Sequence, residues 1–225
     1  VNTMKIIAYI YTDFPEKFGI PRQSGLIPEL TGTIVFEPKY RSPEAVKGLE
    51  GFNYIWLLWQ FEGVSRENWA ATVKPPRLGG NKHVGVFATR SPFRPNPIGL
   101  SSVRLESIEY TDKGPVVHVS GIDLRDKTPI YDIKPYLPYV DCHPDAQDGF
   151  AGAVKDYCLE VSFPKELLEV LPEEKREALV EVLKQDPRPS YHTDSERKYG
   201  VSFAGYDVHF GVKDNLLEVF DVVKL

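Results

Sequence analysis

The sequence has little cysteine and no long hydrophobic run. Cys142 and Cys158 are its only cysteines in 225 residues, and neither forms a CxxC pair or stands at metal-ligand spacing from a histidine. We therefore expect no metal site, and we expect a reduced, cytoplasmic protein. The run Ile55–Trp59 (IWLLW) is far shorter than the roughly 20 residues that cross a bilayer, so no membrane span is expected.

The common nucleotide-binding and hydrolase motifs are also missing. No GxGxxG follows a strand-like run, and the glycine-rich segment Leu78–Lys82 lacks the GxxxxGK[ST] spacing of a phosphate loop. The GxSxG motif that marks a nucleophilic serine does not occur either. These absences exclude the usual dinucleotide-binding and phosphate-loop folds.

Acidic residues are absent from one window of an otherwise acidic chain. The net charge is −5, yet no Asp or Glu occurs between Glu67 and Glu106. The basic residues of this window are Lys74, Arg77, Lys82, His83, Arg90, Arg94 and Arg104. Such a block indicates a local anion site. The alternative is a chance run that acids from elsewhere balance in space.

Short runs of β-branched and aromatic residues dominate the first two thirds of the chain. Glycine and proline clusters separate them, and helical periodicity is scarce, so the pattern predicts a barrel or sandwich. The predicted strands are Lys5–Tyr11, Thr31–Phe36, Tyr54–Phe61, His83–Ala88, Val103–Tyr110 and Val116–Ile122. A short helix is predicted at Pro43–Leu49, after Ser42 as a plausible N-cap.

The last third has a different pattern. After a predicted strand at Tyr157–Phe163, leucine and valine recur at helical spacing through Pro164–Gln185, with Pro172 dividing two helices. Further strands are predicted within Tyr199–Val223. We therefore expect a mainly β protein, with a barrel domain over residues 1–160 and a small α+β C-terminal domain over residues 161–225.

Four segments combine proline, glycine and charged side chains. Proline lowers the entropic cost of ordering a binding loop, and glycine lets a ligand approach the main chain. The segments are Phe18–Leu26, Lys74–Arg94, Arg94–Ser102 and Asp123–Leu137. They indicate binding loops; the alternative is tight barrel turns with solvated arginine heads.

These segments carry a resemblance to a known family. PRQSGL at 21–26, VKPPRLGGNKHVGVFATRSPFRPNPIGLS at 73–101 and DLRDKTPIYDIKPYLP at 123–138 resemble motifs of the TsaA-like family. Within it, the bacterial tRNA methyltransferase branch, TrmO, is the most similar, and QDPRPSY at 185–191 resembles its C-terminal domain. The resemblance covers nearly the whole chain.

The resemblance implies a fold, a cofactor and a reaction. The β-barrel would hold S-adenosyl-L-methionine, and the reaction would methylate N6 of N6-threonylcarbamoyladenosine at tRNA position 37, beside the anticodon. The partners would be the tRNA anticodon arm and a second copy of the chain, with the cofactor near the homodimer interface.

The resemblance also implies which residues bind the cofactor. Arg90 would pair with the methionyl carboxylate, Glu62 or Asp123 would accept hydrogen bonds from the ribose or adenine, and Leu100 would pack on the adenine. The full set is Pro21, Arg22, Gln23, Phe61, Glu62, Arg90, Leu100, Asp123, Leu124, Arg125 and Asp126.

The acceptor nitrogen is urea-like and a poor nucleophile, so a general base is expected. Asp126 and Asp132 are the candidates, and the carboxylate of the threonyl group is an alternative. Candidate RNA-binding residues are Lys74, Arg77, Lys82, Arg94, Lys134, Arg188 and Tyr191. For Arg188 and Tyr191 a structural turn is the alternative.

Two other functions remain open from the sequence. The acidic net charge is compatible with a methyltransferase that acts on a small molecule. A non-catalytic domain that only binds the cofactor is the second alternative.

Overall fold

The computed structural model describes residues 4–63, 69–75, 82–188, 194 and 196–225. Six antiparallel strands close into a barrel in the order β1-β2-β7-β6-β3-β8, and β4 and β5 form a separate two-stranded ribbon. The strands are β1 (Ala8–Thr12), β2 (Thr31–Phe36), β3 (Tyr54–Gln60), β4 (Thr72–Val73), β5 (Val84–Gly85), β6 (Ile98–Thr111), β7 (Gly114–Ser120) and β8 (Thr128–Pro135). The prediction of a mainly β barrel is confirmed.

The barrel forms because its strands alternate in burial. In β3, Ile55, Leu57 and Trp59 are buried, while the residues between them are partly exposed. Successive side chains of a strand point to opposite faces, so this alternation fills the barrel interior from one face of each strand. Trp59 is the last of these inward residues, and it lies at the end of β3 where the chain turns toward the cavity described below.

Strands β3 and β6 set the geometry of that end of the barrel. They pair antiparallel with Leu57 opposite Ser101 and Trp59 opposite Gly99. On its other side β3 pairs with β8, with a register shift between Leu58 and Trp59. Such a bulge bends a strand and re-aims its side chains, so it places Trp59 at the rim.

Two predictions of local structure are wrong. Instead of one helix over Pro43–Leu49, the chain forms separate 3-10 turns at Pro43–Ala45 and Leu49–Gly51, because Gly48 adopts a φ of 86° that interrupts helical geometry. Instead of a strand over His83–Ala88, β5 is followed by a 3-10 turn at Val86–Ala88. Further 3-10 turns span Pro38–Tyr40 and Gly149–Val154.

The C-terminal part is a four-stranded sheet backed by helices. Its order is β10-β11-β12-β9, with β9 parallel to β12. Its elements are β9 (Glu160–Ser162), α2 (Lys165–Leu168), α3 (Glu173–Lys184), β10 (Lys198–Phe203), β11 (Tyr206–Lys213) and β12 (Leu216–Lys224). The short helix α1 (Pro138–Asp141) follows β8, and its Asp141 accepts a hydrogen bond from the Trp56 indole of β3. The two predicted helices, divided at Pro172, are confirmed.

The barrel and the C-terminal sheet share a packed seam. The rings of Phe14 and Phe203 lie 5.2 Å apart, and both side chains are fully buried. The Lys175 ammonium lies 2.5 Å from the Asp13 carboxylate, and the Ala204 amide donates to the Asp13 carbonyl at 2.9 Å. The domain boundary at residue 160 stays a prediction. In the described part of the chain no helix is long and apolar enough to cross a membrane.

Candidate active site

A cavity of about 470 Å³ opens at the end of β3 and β6. The four proline- and glycine-containing segments all contribute to its wall. Its lining residues are Lys17, Ile20, Pro21, Arg22, Gln23, Trp59, Gln60, Phe61, Glu62, Thr89, Arg90, Pro92, Arg94, Ile98, Gly99, Leu100, Asp123, Arg125 and Thr128. Five of these side chains are cationic and two are carboxyls, so the cavity favours an anionic or partly anionic ligand.

A chain of hydrogen bonds leads from the barrel interior to Asp123. The Trp59 indole N–H donates to Ser101 Oγ at 2.9 Å, and the Ser101 hydroxyl donates to Asp123 Oδ1 at 2.6 Å. Burial raises the pKa of Asp123 to about 6, although the Ser101 bond and the charge of Arg90 act in the opposite direction. The burial cost therefore outweighs these stabilising contacts.

The second carboxyl of the cavity is neutralised by a cation. Glu62 Oε2 lies 3.1 Å from Arg125 Nη2, and the Lys17 ammonium donates to the Glu62 carbonyl at 2.5 Å. Arg125 Nε is buried and has no hydrogen-bond partner among the described residues. A buried N–H without an acceptor costs free energy, so this group is a candidate donor to a ligand.

The two arginines of the long motif have different surroundings. Arg90 is exposed and donates to the Gln23 side-chain oxygen. Arg94 is partly buried and donates to the carbonyls of Thr89 at 2.7 Å and Ser91 at 3.3 Å. Arg94 therefore braces the turn that presents Arg90 to the cavity.

An apolar surface forms the remaining wall. The rings of Trp59 and Phe61 lie 4.3 Å apart, and a Cβ atom at Gly99 would come within 2.1 Å of the Trp59 ring. Glycine is thus required for β6 to cross the indole so closely. Leu100, the next residue, is 53% exposed.

The structure brings together most residues that the resemblance implied for the cofactor. Nine of them line the cavity: Pro21, Arg22, Gln23, Phe61, Glu62, Arg90, Leu100, Asp123 and Arg125. Leu124 and Asp126 do not. Leu124 is fully buried in the core, and Asp126 Oδ1 accepts a hydrogen bond from the Thr12 amide at 3.0 Å. The binding roles of all eleven stay predictions.

The two candidate bases lie outside the cavity wall. Asp126 fixes the end of β1 through the Thr12 amide. Asp132 is in β8, where its carboxylate lies 2.8 Å from the Lys134 ammonium and also accepts from the Ile133 amide. Both carboxylates thus have structural partners, and a catalytic role for either stays a prediction.

The candidate RNA-binding residues are dispersed. Lys74 and Lys82 are exposed beside the β4–β5 ribbon, and Lys134 is exposed but paired with Asp132. Arg188 is only 14% exposed and forms a two-point ion pair with Asp186, whose carboxylate also accepts from the Tyr157 hydroxyl. Arg77 and Tyr191 lie outside the described residues.

Some residues in the cavity wall or directly behind it were not singled out by the sequence patterns. Ser101 and Gly99 stand inside the long motif, but nothing in the residue types indicated that Ser101 would bond Asp123. Trp59 was indicated only by its inward position in an alternating strand. Lys17 lies just outside a motif, and no sequence signal marked it.

A second cavity, of about 370 Å³, adjoins the first. Lys17, Ile20, Pro21 and Arg22 line both cavities. The second is completed by C-terminal residues, namely Val182, Gln185, Asp186 and Pro187. The segment from Lys17 to Arg22 is therefore held from one side by the C-terminal part of the chain.

Comparison with known proteins agrees with this arrangement. The chain matches the family described as tRNA-methyltransferase O N-terminal domain over residues 9–142 and the TrmO C-terminal domain over residues 156–225. The chain belongs to the TrmO family. The membership that the motifs indicated is confirmed.

Two bacterial relatives of this TrmO family member align with it over almost their whole length. It is 40% identical to the tRNA (adenine(37)-N6)-methyltransferase of Escherichia coli K12, over 95% of this chain and 94% of that protein. It is 41% identical to a putative S-adenosylmethionine-dependent methyltransferase, RcsF, of Pseudomonas aeruginosa, over 98% and 97% of the two chains. A crystal structure of TrmO from P. aeruginosa superimposes with a TM-score of 0.80 at 36% identity, covering 100% of this chain and 98% of that one.

Proposed function

We propose that this TrmO family member transfers the methyl group of S-adenosyl-L-methionine to N6 of N6-threonylcarbamoyladenosine at tRNA position 37. The observation that carries the proposal is the convergence of the four motif segments on one cationic cavity. The full-length similarity to a protein named tRNA (adenine(37)-N6)-methyltransferase supports the same reaction.

The residues of the cavity fit the cofactor. The buried, unpartnered Nε of Arg125 offers a donor to a polar ligand atom, and Arg90 offers a guanidinium to a carboxylate. The rings of Trp59 and Phe61 and the exposed Leu100 offer apolar contacts to a flat base. The bound cofactor supplies an activated methyl group on a positively charged sulfur.

The protein's own contribution is positioning and charge. Proline at 21, 92 and 97 and the hydrogen bonds of Arg94 limit the freedom of the loops before a ligand arrives. Holding donor and acceptor in one geometry removes much of the entropic barrier to a direct transfer. The cationic side chains of the wall attract the phosphate and carboxylate groups of a threonylcarbamoylated RNA.

RNA binding beyond the cavity is proposed for the β4–β5 ribbon. Lys74 follows β4 and Lys82 precedes β5, and both side chains are exposed without a carboxylate partner among the described residues. Lys17 and Arg22 add positive charge on the cavity wall itself. The anticodon arm would then lie across the cavity mouth.

Homodimerisation is part of the proposal. Large apolar side chains are exposed in the part of the chain from residue 69 to residue 100, which also contributes to the cavity wall. They are Trp69, Phe87, Phe93, Ile98 and Leu100. A concentration of exposed apolar side chains is typical of an interaction surface. A second copy of the chain that covers this surface would close the cavity mouth.

Methyl transfer to defined RNAs tests the function. Incubation with methyl-labelled S-adenosyl-L-methionine should label an anticodon stem-loop only when it carries the threonylcarbamoyl group. Labelling of a small acceptor without RNA would support a small-molecule methyltransferase instead. Tight cofactor binding without transfer to any RNA in a total tRNA pool would support a non-catalytic domain that only binds the cofactor.

A further inference from the structure

We propose that Asp123 is the proton acceptor of the transfer and that Ser101 and Trp59 position it. The inference rests on the proposed function and deepens it. The resemblance implied a role in cofactor binding for Asp123, and this assignment replaces that role. The earlier candidates for the base, Asp126 and Asp132, lie outside the cavity wall.

The carboxyls of the cavity wall differ in their partners. Among the residues that the structure describes, Glu62 and Asp123 are the only carboxyls in this wall. Glu62 is paired with Arg125 at 3.1 Å, and a carboxylate held by a cation is a weaker base. Asp123 has no ion pair with any residue in the described ranges, and its partners within hydrogen-bonding distance are the Ser101 hydroxyl and backbone amides.

The hydrogen bonds from Trp59 through Ser101 to Asp123 run in a single direction. The Trp59 indole can only donate, so its bond fixes Ser101 Oγ as the acceptor. The single hydroxyl proton of Ser101 is then directed at Asp123 Oδ1. Ser101 is 1% exposed and Trp59 is 8% exposed, so water does not compete for these bonds. Asp123 is therefore held in one orientation by the buried Ser101 hydroxyl, which the Trp59 indole fixes in turn.

The protonation behaviour of Asp123 also suits a proton acceptor. Burial raises its pKa to about 6, whereas the Ser101 bond and the charge of Arg90 lower it. The other charged groups of the same wall are Lys17, Arg22, Arg94 and the Glu62–Arg125 pair. A carboxyl with this pKa is ionised at neutral pH and is a stronger base than an ordinary aspartate.

The chemical step balances without a further reactant. The bond between N6 and the methyl carbon forms as the bond between that carbon and sulfur breaks, and its electron pair stays on sulfur. The N6 proton passes to the Asp123 carboxylate. The electron pair cancels the sulfonium charge, the proton cancels the charge of the carboxylate, and Asp123 later loses its proton to solvent.

The decisive experiment uses Asp123→Asn in the full-length protein. Single-turnover transfer to threonylcarbamoylated stem-loop should fall by about 10² or more. Cofactor affinity, measured by calorimetry, should stay close to that of the wild type. Asp112→Asn, in the exposed turn between β6 and β7, is the matched control and should behave as wild type.

The pH profile separates a positioning role from a merely structural one. The wild-type rate should rise with pH around a midpoint near 6, as Asp123 loses its proton. Ser101→Ala removes a bond that favours the carboxylate, so its midpoint should move to higher pH. Trp59→Phe keeps an aromatic ring but frees the Ser101 hydroxyl, so a smaller upward move is expected. Carbon-13 NMR titration of the Asp123 carboxyl without ligands should show the same order.

Three results would overturn the assignment. One is an Asp123→Asn variant that loses cofactor affinity in proportion to its rate, since that describes a cofactor ligand. The second is a Ser101→Ala profile that coincides with wild type. The third is normal transfer by Asp123→Asn. Failure of the wild type itself to methylate the modified stem-loop would instead refute the proposed function, and the assignment with it.

Discussion

At the scale of single residues, the sequence identified the composition of the cavity wall but not the roles of its side chains. Arg94 and Arg188 illustrate the difference. Both were candidates for RNA contact, yet Arg94 donates to nearby carbonyls and Arg188 is paired with Asp186. Burial alone would raise the pKa of Asp186, but its bonds to Arg188 and Tyr157 lower it overall. Sequence shows that a guanidinium is present, whereas its partners depend on tertiary contacts.

Gly99→Ala tests the closest contact of the wall. The new Cβ would lie 2.1 Å from the Trp59 ring, so the indole must move and its bond to Ser101 must lengthen or break. We expect the free energy of unfolding to fall by about 1–3 kcal/mol, as for other overpacked sites, and cofactor affinity to fall as well. Urea unfolding and calorimetry measure the two effects.

Gly51→Ala is the control for this substitution. No atom lies within 4 Å of a Cβ built at Gly51, which is in a 3-10 turn away from the cavity. Its stability and cofactor affinity should match the wild type. A Gly99→Ala variant as stable as this control would show that Trp59 relaxes freely and does not fix the wall.

At the scale of elements, alternation of apolar residues predicted the strands that fill the barrel. Thr31–Phe36 was predicted with its observed bounds, and β3 to within one residue. Strand β8 was missed because Asp132 and Lys134 interrupt its apolar pattern and because its prolines are typical of loops. Asp132 and Lys134 form an ion pair on the outer face of β8, and this pairing could be recognised only once the strand was placed in the sheet.

The C-terminal sheet carries a histidine whose charge depends on pH. His209 of β11 lies 3.1 Å from both Asp221 and Asp207, and its bond to Asp221 is the main cause that raises its pKa. A raised pKa in the folded state stabilises the protein below the unfolded value of about 6.5, and this contribution is lost as pH rises through the folded value.

His209→Gln should therefore lower stability most at acidic pH. Urea unfolding at pH 5.5 should show a loss of roughly 0.2–1 kcal/mol, as for partly exposed ion pairs, and the loss should shrink steadily toward pH 9. In an Asp221→Asn background the pH dependence of the loss should weaken, because the main partner is gone. A loss that is equal at all pH values would show that the imidazole contributes by packing alone.

At the scale of the whole molecule, four segments spread between Phe18 and Leu137 form one wall because the barrel closes. The motif composition indicated that they are binding loops, but periodicity could not show that β3, β6 and β8 would bring them together. The C-terminal part adds a second constraint, since it lines the adjoining cavity against the segment from Lys17 to Arg22. Contacts between residues so widely separated in sequence depend on closure of the sheet into a barrel, and no local sequence pattern encodes that closure.

The exposed apolar side chains beside the cavity predict a dimer interface at this surface. Phe87 is 74% exposed and lies 5.9 Å from the Arg94 guanidinium, within the segment that lines the cavity. If a second copy covers this surface, Phe87→Ser should shift the protein from dimer to monomer in sedimentation velocity and weaken methyl transfer. Tyr139→Ser is the matched control, because Tyr139 of α1 is 82% exposed and lies away from the cavity. Its position follows from Tyr136, whose amide donates to the Tyr54 carbonyl at the opposite end of β3. A monomeric wild type, or dissociation by the control variant alone, would place the interface elsewhere and leave the cavity mouth to the RNA.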